Sequence, residues 1–82
     1  MASLRITLRY FAAARELAGC DCESWELSGA RSLADLRTEL VASHPGLAQL
    51  PFVFAVNEDY AELATLLSDG DEVALIPAIS GG

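Results

Sequence analysis

An α+β domain, a mixed sheet of four to five strands with one long helix across one face, is predicted by three features of the chain. Apolar residues alternate with polar ones at the start, recur at helical spacing in the middle, and form two dense apolar runs towards the end. The order reads strand, short helix, strand, helix, strand, turn, strand. The 82 residues form one domain, residues 1–82, of a size that buries roughly 60% of the surface its unfolded form exposes. A hydrophobic share of 52% supports a packed core and argues against disorder.

Leu4, Ile6, Leu8 and Tyr10 alternate with Arg5, Thr7 and Arg9, the period-two pattern of a half-buried strand. Phe11 to Ala18 follows as a helix of about two turns, with Gly19 as its C-terminal cap. So short a helix is marginal alone, and packing of Phe11 and Leu17 is expected to hold it. Cys22 to Leu27 is a second strand, with Trp25 and Leu27 on its inner face. Ser32-Leu33-Ala34-Asp35 has the form of a capping box, with Asp in place of Glu or Gln. Leu33, Leu36, Leu40 and Val41 then mark the main helix, which His44-Pro45-Gly46 ends.

Leu47 to Leu50 reads as an irregular turn. Phe52 to Val56 is a continuous apolar run, expected as a buried strand, and Asn57-Glu58-Asp59 turns the chain. Tyr60 to Leu67 fits either a helical turn or a brief strand plus loop. Asp69-Gly70 signals a tight turn into the final strand, Glu72 to Ile76, which Pro77 stops.

Twelve acidic residues face five arginines and no lysine, a formal net charge of −7. Such a surface repels nucleic acid and anionic lipid and suits a basic partner. The N-terminal residues lack the apolar core of a signal peptide and no run reaches transmembrane length, so a cytoplasmic protein is expected. Cys20 and Cys22 are too close for an ordinary disulfide. With only His44 beside them the chain falls short of the usual four metal ligands, so reduced structural thiols and no metal site are expected. His44 itself reads as helix-end chemistry. Asp59, Asp69, Asp71 and Glu72 read as turn and surface carboxylates, and no catalytic dyad or phosphate loop stands in the sequence.

The stretch after the final strand is the expected working part. Gly81-Gly82 has no side chains and can thread a channel closed to other residues. Its α-carboxylate is inert at neutral pH unless another protein activates it. The residues from Pro77 to Gly82 reach up to roughly 20 Å when extended. Fixing them costs about 1–2 kcal/mol per residue in backbone entropy, which Ile76, Pro77 and Ile79 are placed to offset as apolar anchors.

Three segments carry a resemblance to a known family. Arg9-Tyr10-Phe11-Ala12-Ala13-Ala14-Arg15-Glu16-Leu17-Ala18-Gly19, then Val53-Phe54-Ala55-Val56-Asn57, then Leu67 to Pro77 with Ser80-Gly81-Gly82, resemble the small, sulfur-carrying subunit of molybdopterin synthase. The resemblance implies a ubiquitin-like β-grasp fold with parallel, central first and last strands and a flexible tail projecting from an edge of the sheet. It implies that an adenylyltransferase of the ubiquitin-activating type uses ATP, with magnesium, to adenylate Gly82. Sulfur then replaces AMP to give a thiocarboxylate, and Ile79, Ser80 and Gly81 enter the large synthase subunit of a heterotetramer. There the sulfur passes to cyclic pyranopterin monophosphate. On this reading the chain binds no cofactor and is not an enzyme on its own.

Phe11, Arg15, Leu75, Ile76 and Pro77 are the implied partner-interface residues. By alternation only one of Leu75 and Ile76 can face inward, which leaves the other for the interface. Two departures from the family pattern fall at the base of the tail: Ala78 follows Pro77 where a second proline is common, and Leu75 and Ile76 stand where aromatics are common. Other readings of a Gly-Gly chain are a thiamine-type sulfur carrier, a ubiquitin-like modifier and a plain interaction module. The helix after the first strand speaks against the thiamine type, and the missing lysines forbid lysine-linked chains of the protein on itself.

Overall fold

The computed structural model describes residues 3–29 and 31–77. Its elements are β1 (Ser3–Tyr10), α1 (Ala12–Ala18), β2 (Cys22–Ser28), α2 (Leu33–Ser43), a 3-10 helix (Pro45–Gln49), β3 (Phe52–Val56), β4 (Asp59–Ala61) and β5 (Glu72–Pro77). The five strands form one sheet in the order β2-β1-β5-β3-β4. β1 and β5 are parallel and every other pairing is antiparallel. The first and last strands therefore sit inside the sheet, as the β-grasp expectation requires.

The alternation in β1 turns Ile6, Leu8 and Tyr10 inward, where they are nearly inaccessible. α2 lays Leu33, Leu36 and Leu40 on that same inner face, joined by Val73 and Leu75 from β5 and Leu27 from β2. Each such side chain taken out of water contributes about 1.5–3 kcal/mol. The N-terminus of α2 is fully served. Ser32 Oγ accepts from the Asp35 amide, and the Asp35 carboxylate accepts from the Ser32 amide in return. The Leu33 and Ala34 amides donate to the carbonyls of Thr65 and Leu63. Those two bonds settle the segment 60–67 as a brief strand followed by a loop laid over the helix end, with Leu67 inserted into the core.

Three local expectations need correcting. α1 is not held by Phe11 and Leu17, which stay 43% and 46% exposed; Ala14, at 0%, faces the core, and a small residue there lets the helix approach the sheet. Leu47 to Leu50 is no irregular turn, because Pro45 starts a 3-10 helix that drives Leu47 into the core. β3 is not buried on both faces: Phe54 points inward but Val53 is 44% exposed, since the long helix covers only one side.

Three turns set the connections. Gly19 caps α1 at φ 81, a conformation that glycine adopts without strain. Asn57 and Glu58, at φ 50 and 74, make the two-residue hairpin between β3 and β4, where positive φ at both positions matches the twist of the strands. Gly70, at φ 88, turns the chain into β5; its amide donates to the Arg5 carbonyl while Asp69 Oδ1 accepts from the Arg5 amide. Asp69 and Asp71 thus act as turn carboxylates, with Asp71 accepting from Ser68 and Asn57. No helix among the described residues is long and apolar enough to cross a membrane.

Candidate functional site

The site is the root of the tail, where β5 leaves the sheet. The pairing of β5 with β1 ends at Tyr10 opposite Leu75. Ile76 and Pro77 continue past it, paired only with Val53 and Phe52 of β3. The last described residue, Pro77, thus stands at the end of a central strand, which is where the resemblance puts the root of the tail. Gly82, Gly81, Ser80 and Ile79 lie outside the described residues.

Because neighbouring residues of a strand point to opposite faces, Leu75 and Ile76 part company here. Leu75 is 0% exposed and belongs to the core. It is no interface residue, which corrects its inclusion among them. Ile76 and Ala74 point to the uncovered face of the sheet, beside Arg9 of β1, Val53 and Ala55 of β3 and Tyr60 of β4. A depression of about 330 Å³ lies in this face, bounded by Phe11, Arg9, Ile76, Tyr60, Glu58 and Glu72. Tyr60 is 76% exposed, the most open large hydrophobic residue of the face.

Phe11 reaches this face through a strained turn. Ala12 sits at φ 49, a region costly for a residue with a Cβ, and it reverses the chain from β1 into α1. The Arg9 guanidinium lies 5.8 Å from the Phe11 ring centre and 3.5 Å from a Glu72 carboxylate oxygen. Arg15 projects from α1 near the same end and meets Asp21 at 3.4 Å. These pairs are exposed, so each holds a side chain in place more than it stabilises the fold. Of the expected interface residues, Phe11 and Ile76 line the tail-root depression, Arg15 shares a neighbouring hollow with Phe11, and Pro77 ends the strand, falling by alternation on the side of Leu75. Arg9, Val53 and Tyr60 stand on the same open face and were not singled out in the sequence, although Val53 sits one residue out of phase with Phe54 in an otherwise continuous apolar run.

A polar cluster behind the site was also missed. The Tyr10 hydroxyl donates to Glu23 Oε1 at 2.6 Å, and His44 Nε2 lies 3.2 Å from the same oxygen. The Tyr10 and His44 rings meet edge-on at 6.0 Å. His44 does cap α2, its amide donating to the Leu40 carbonyl, but it also ties that helix end to β1 and β2. The hydrogen bond from Tyr10 chiefly holds the Glu23 carboxyl below its ordinary range, against the opposing effect of burial. Burial and the Glu23 carboxylate push the Tyr10 hydroxyl far above its own, so it stays a proton donor.

A depressed carboxyl stabilises the fold fully above its unfolded value, about 4.3 for glutamate, and the contribution fades as pH falls through the lower folded value. Asp35 is depressed in the same direction by its Ser32 hydrogen bonds. Urea midpoints taken between pH 7 and 3 are therefore expected to drop below about pH 4.3. Glu23→Gln and Asp35→Asn should each flatten part of that acid limb. Cys20 and Cys22 are free thiols; burial raises the Cys20 thiol, which keeps it protonated. Among the described residues, no three His, Cys, Asp or Glu side chains are grouped to hold a metal.

A sequence profile described as the ThiS family matches residues 8–82. The chain belongs to that family. It is 40% identical to the molybdopterin synthase sulfur carrier subunit of Chlamydomonas reinhardtii, over 96% of this chain and 100% of that protein. To the human protein of the same name it is 36% identical, over 95% of this chain and 94% of the other. Among solved structures, a complex of subunits 1 and 2 of molybdopterin-converting factor from Helicobacter pylori contains a chain that superposes at TM-score 0.64 with 27% identity. The match covers 96% of this chain and 100% of that one. A ubiquitin from Caldiarchaeum subterraneum superposes at TM-score 0.64 with 17% identity, over 99% and 100% of the two chains, which marks the ubiquitin-like β-grasp fold. The family match takes in Phe11, Arg15, Ile76 and Pro77 together with the Gly81-Gly82 end.

Proposed function

We propose that this chain is the sulfur-carrying subunit of a molybdopterin synthase, with the carboxyl group of Gly82 as its working atom group. The observation that carries this reading is that the family match runs through Gly82 on a chain whose central strand already leads out of the sheet at Pro77. An adenylyltransferase of the ubiquitin-activating type joins the carboxylate to AMP from ATP and releases pyrophosphate. A sulfur nucleophile then attacks the acyl carbon, AMP leaves, and a thiocarboxylate remains. The large synthase subunit docks on the open sheet face and receives Ile79, Ser80, Gly81 and Gly82, so that the sulfur meets cyclic pyranopterin monophosphate.

The chain's own part is to present and orient. Phe11, Ile76 and Pro77 give the partner an apolar footing at the tail root, and Arg15 adds a charged contact. Docking by the rigid sheet offsets the entropy lost when the tail is ordered. The numerous carboxylates favour a basic partner surface and faster encounter. Intact mass after incubation with the activating enzyme, ATP and a sulfur source is expected to rise by the difference between sulfur and oxygen. A C-terminus that never gains this difference refutes the reading.

A further inference from the structure

The open face does not stop at β4. After Ala61 the chain turns away, so β4 pairs only with Phe54, Ala55 and Val56. Among the described residues, the outer edge of Phe52 and Val53 has no strand beside it. A hollow of about 210 Å³ lies there, lined by Arg37, Phe52, Val53, Ala61, Glu62 and Leu63. It is linked to the tail-root depression through shared walls: a further depression is lined by both Val53 and Tyr60, and Tyr60 also bounds the tail-root depression. Leu63, on the rim, is 49% exposed.

Arg37 distinguishes this hollow. Arg5, Arg9, Arg15 and Arg31 each have a carboxylate partner, in Glu26, Glu72, Asp21 and Glu39. Among the described residues, Arg37 alone has none at salt-bridging distance, although the chain carries a net charge of −7. Its guanidinium is instead held 5.8 Å from the Phe52 ring centre, and Phe52 stands directly opposite Pro77. A cation placed over a ring at the rim of such a hollow, here lined by both apolar side chains and Glu62, keeps its hydrogen-bond donors free for a planar anion.

We propose that the large synthase subunit docks around the β4 edge as well as on the open face, setting one apolar side chain into this hollow and one carboxylate against Arg37. The proposal rests on the docking role given above. The link to the tail-root face argues for the same partner, and the unpaired guanidinium for an acidic group on it. Glu62 and the overall negative charge disfavour an acidic run, so a single carboxylate on an otherwise basic surface is the fit.

The test measures binding of the full chain to its cognate large subunit by calorimetry at low and high salt. Arg37→Met, which keeps apolar cover over Phe52, and Arg37→Glu are compared with Leu63→Ser and with Ile76→Asp at the tail root. Arg37→Glu is expected to weaken binding about tenfold or more, with Leu63→Ser weaker by several-fold. Arg37→Met should lose the salt-sensitive part of the affinity. Unchanged affinity in all three Arg37 and Leu63 variants, with Ile76→Asp impaired, overturns the wider footprint while leaving the docking role standing. Unchanged affinity in Ile76→Asp as well removes the docking role and this proposal together. Arg37 variants that alter self-association and leave partner binding intact assign the hollow to a second copy, which also overturns it.

Discussion

Appending one tryptophan beyond Gly82 is expected to abolish sulfur transfer while the domain stays folded. On the proposed function, the extended chain no longer presents a glycine carboxylate to an activating enzyme, and an indole would not pass a channel that admits only residues without side chains. Misplacement of a reacting group by even about 1 Å can cost on the order of 100-fold in rate, and the added residue displaces it further. The change lies beyond Pro77, the last residue of β5, and so leaves the sheet and its core contacts untouched. Molybdenum-enzyme activity in cells that rely on the variant, read beside its circular dichroism spectrum and melting temperature, separates lost chemistry from lost fold. Full activity in the extended protein contradicts a role for the Gly82 carboxylate.

Leu75→Ala and Ile76→Ala, one residue apart, are expected to fail in opposite ways. Leu75 is completely buried in the core, flanked in the sheet by Tyr10 of β1 and Phe54 of β3, so its truncation removes transfer energy and leaves a cavity, a loss of about 2–5 kcal/mol. Against a total stability of roughly 5–15 kcal/mol for a domain, that is a large fraction, and it should show as a clearly lowered melting temperature. Each kilocalorie corresponds to about 4–8 °C in melting temperature. Ile76 faces the open side, and its truncation should cost about 1 kcal/mol or less of stability while weakening partner binding. Denaturant midpoints for both variants, set against their affinities for the large subunit, check the division. Equal destabilisation of the two would mean that the open face carries as much packing as the core.

The Leu75 and Ile76 pair also shows where sequence reading stops. Alternation required that one of the two face inward, but a period of two has no preferred sign. Only the helix lying across one side of the sheet decides which face is inside. The same helix explains Val53, an apolar residue in an apolar run that nevertheless stands in the open.

Local chemistry was enough for the elements themselves. Period-two and helical spacing placed β1, β2 and α2. The Ser32 and Asp35 capping box, the Gly19 cap and the turn at Gly70 formed as their residue types require, because the bonds Ser32–Asp35, Arg15–Gly19 and Ser68–Asp71 close within a few positions along the chain; the bonds of Asp69 and Gly70 to Arg5 do not. The strained Ala12 turn had no glycine or asparagine to announce it. The Tyr10–Glu23–His44 cluster draws on residues from three separate elements, and Arg37 stands out only after every other arginine has been matched to its carboxylate. Such features depend on which distant groups share a surface, and that follows from the path of the backbone through space. By itself the chain determined its four longer strands, its main helix and the Gly81-Gly82 end; the tertiary structure alone decided the short β4, which side of the sheet is open and which side chains stand around the end of β5.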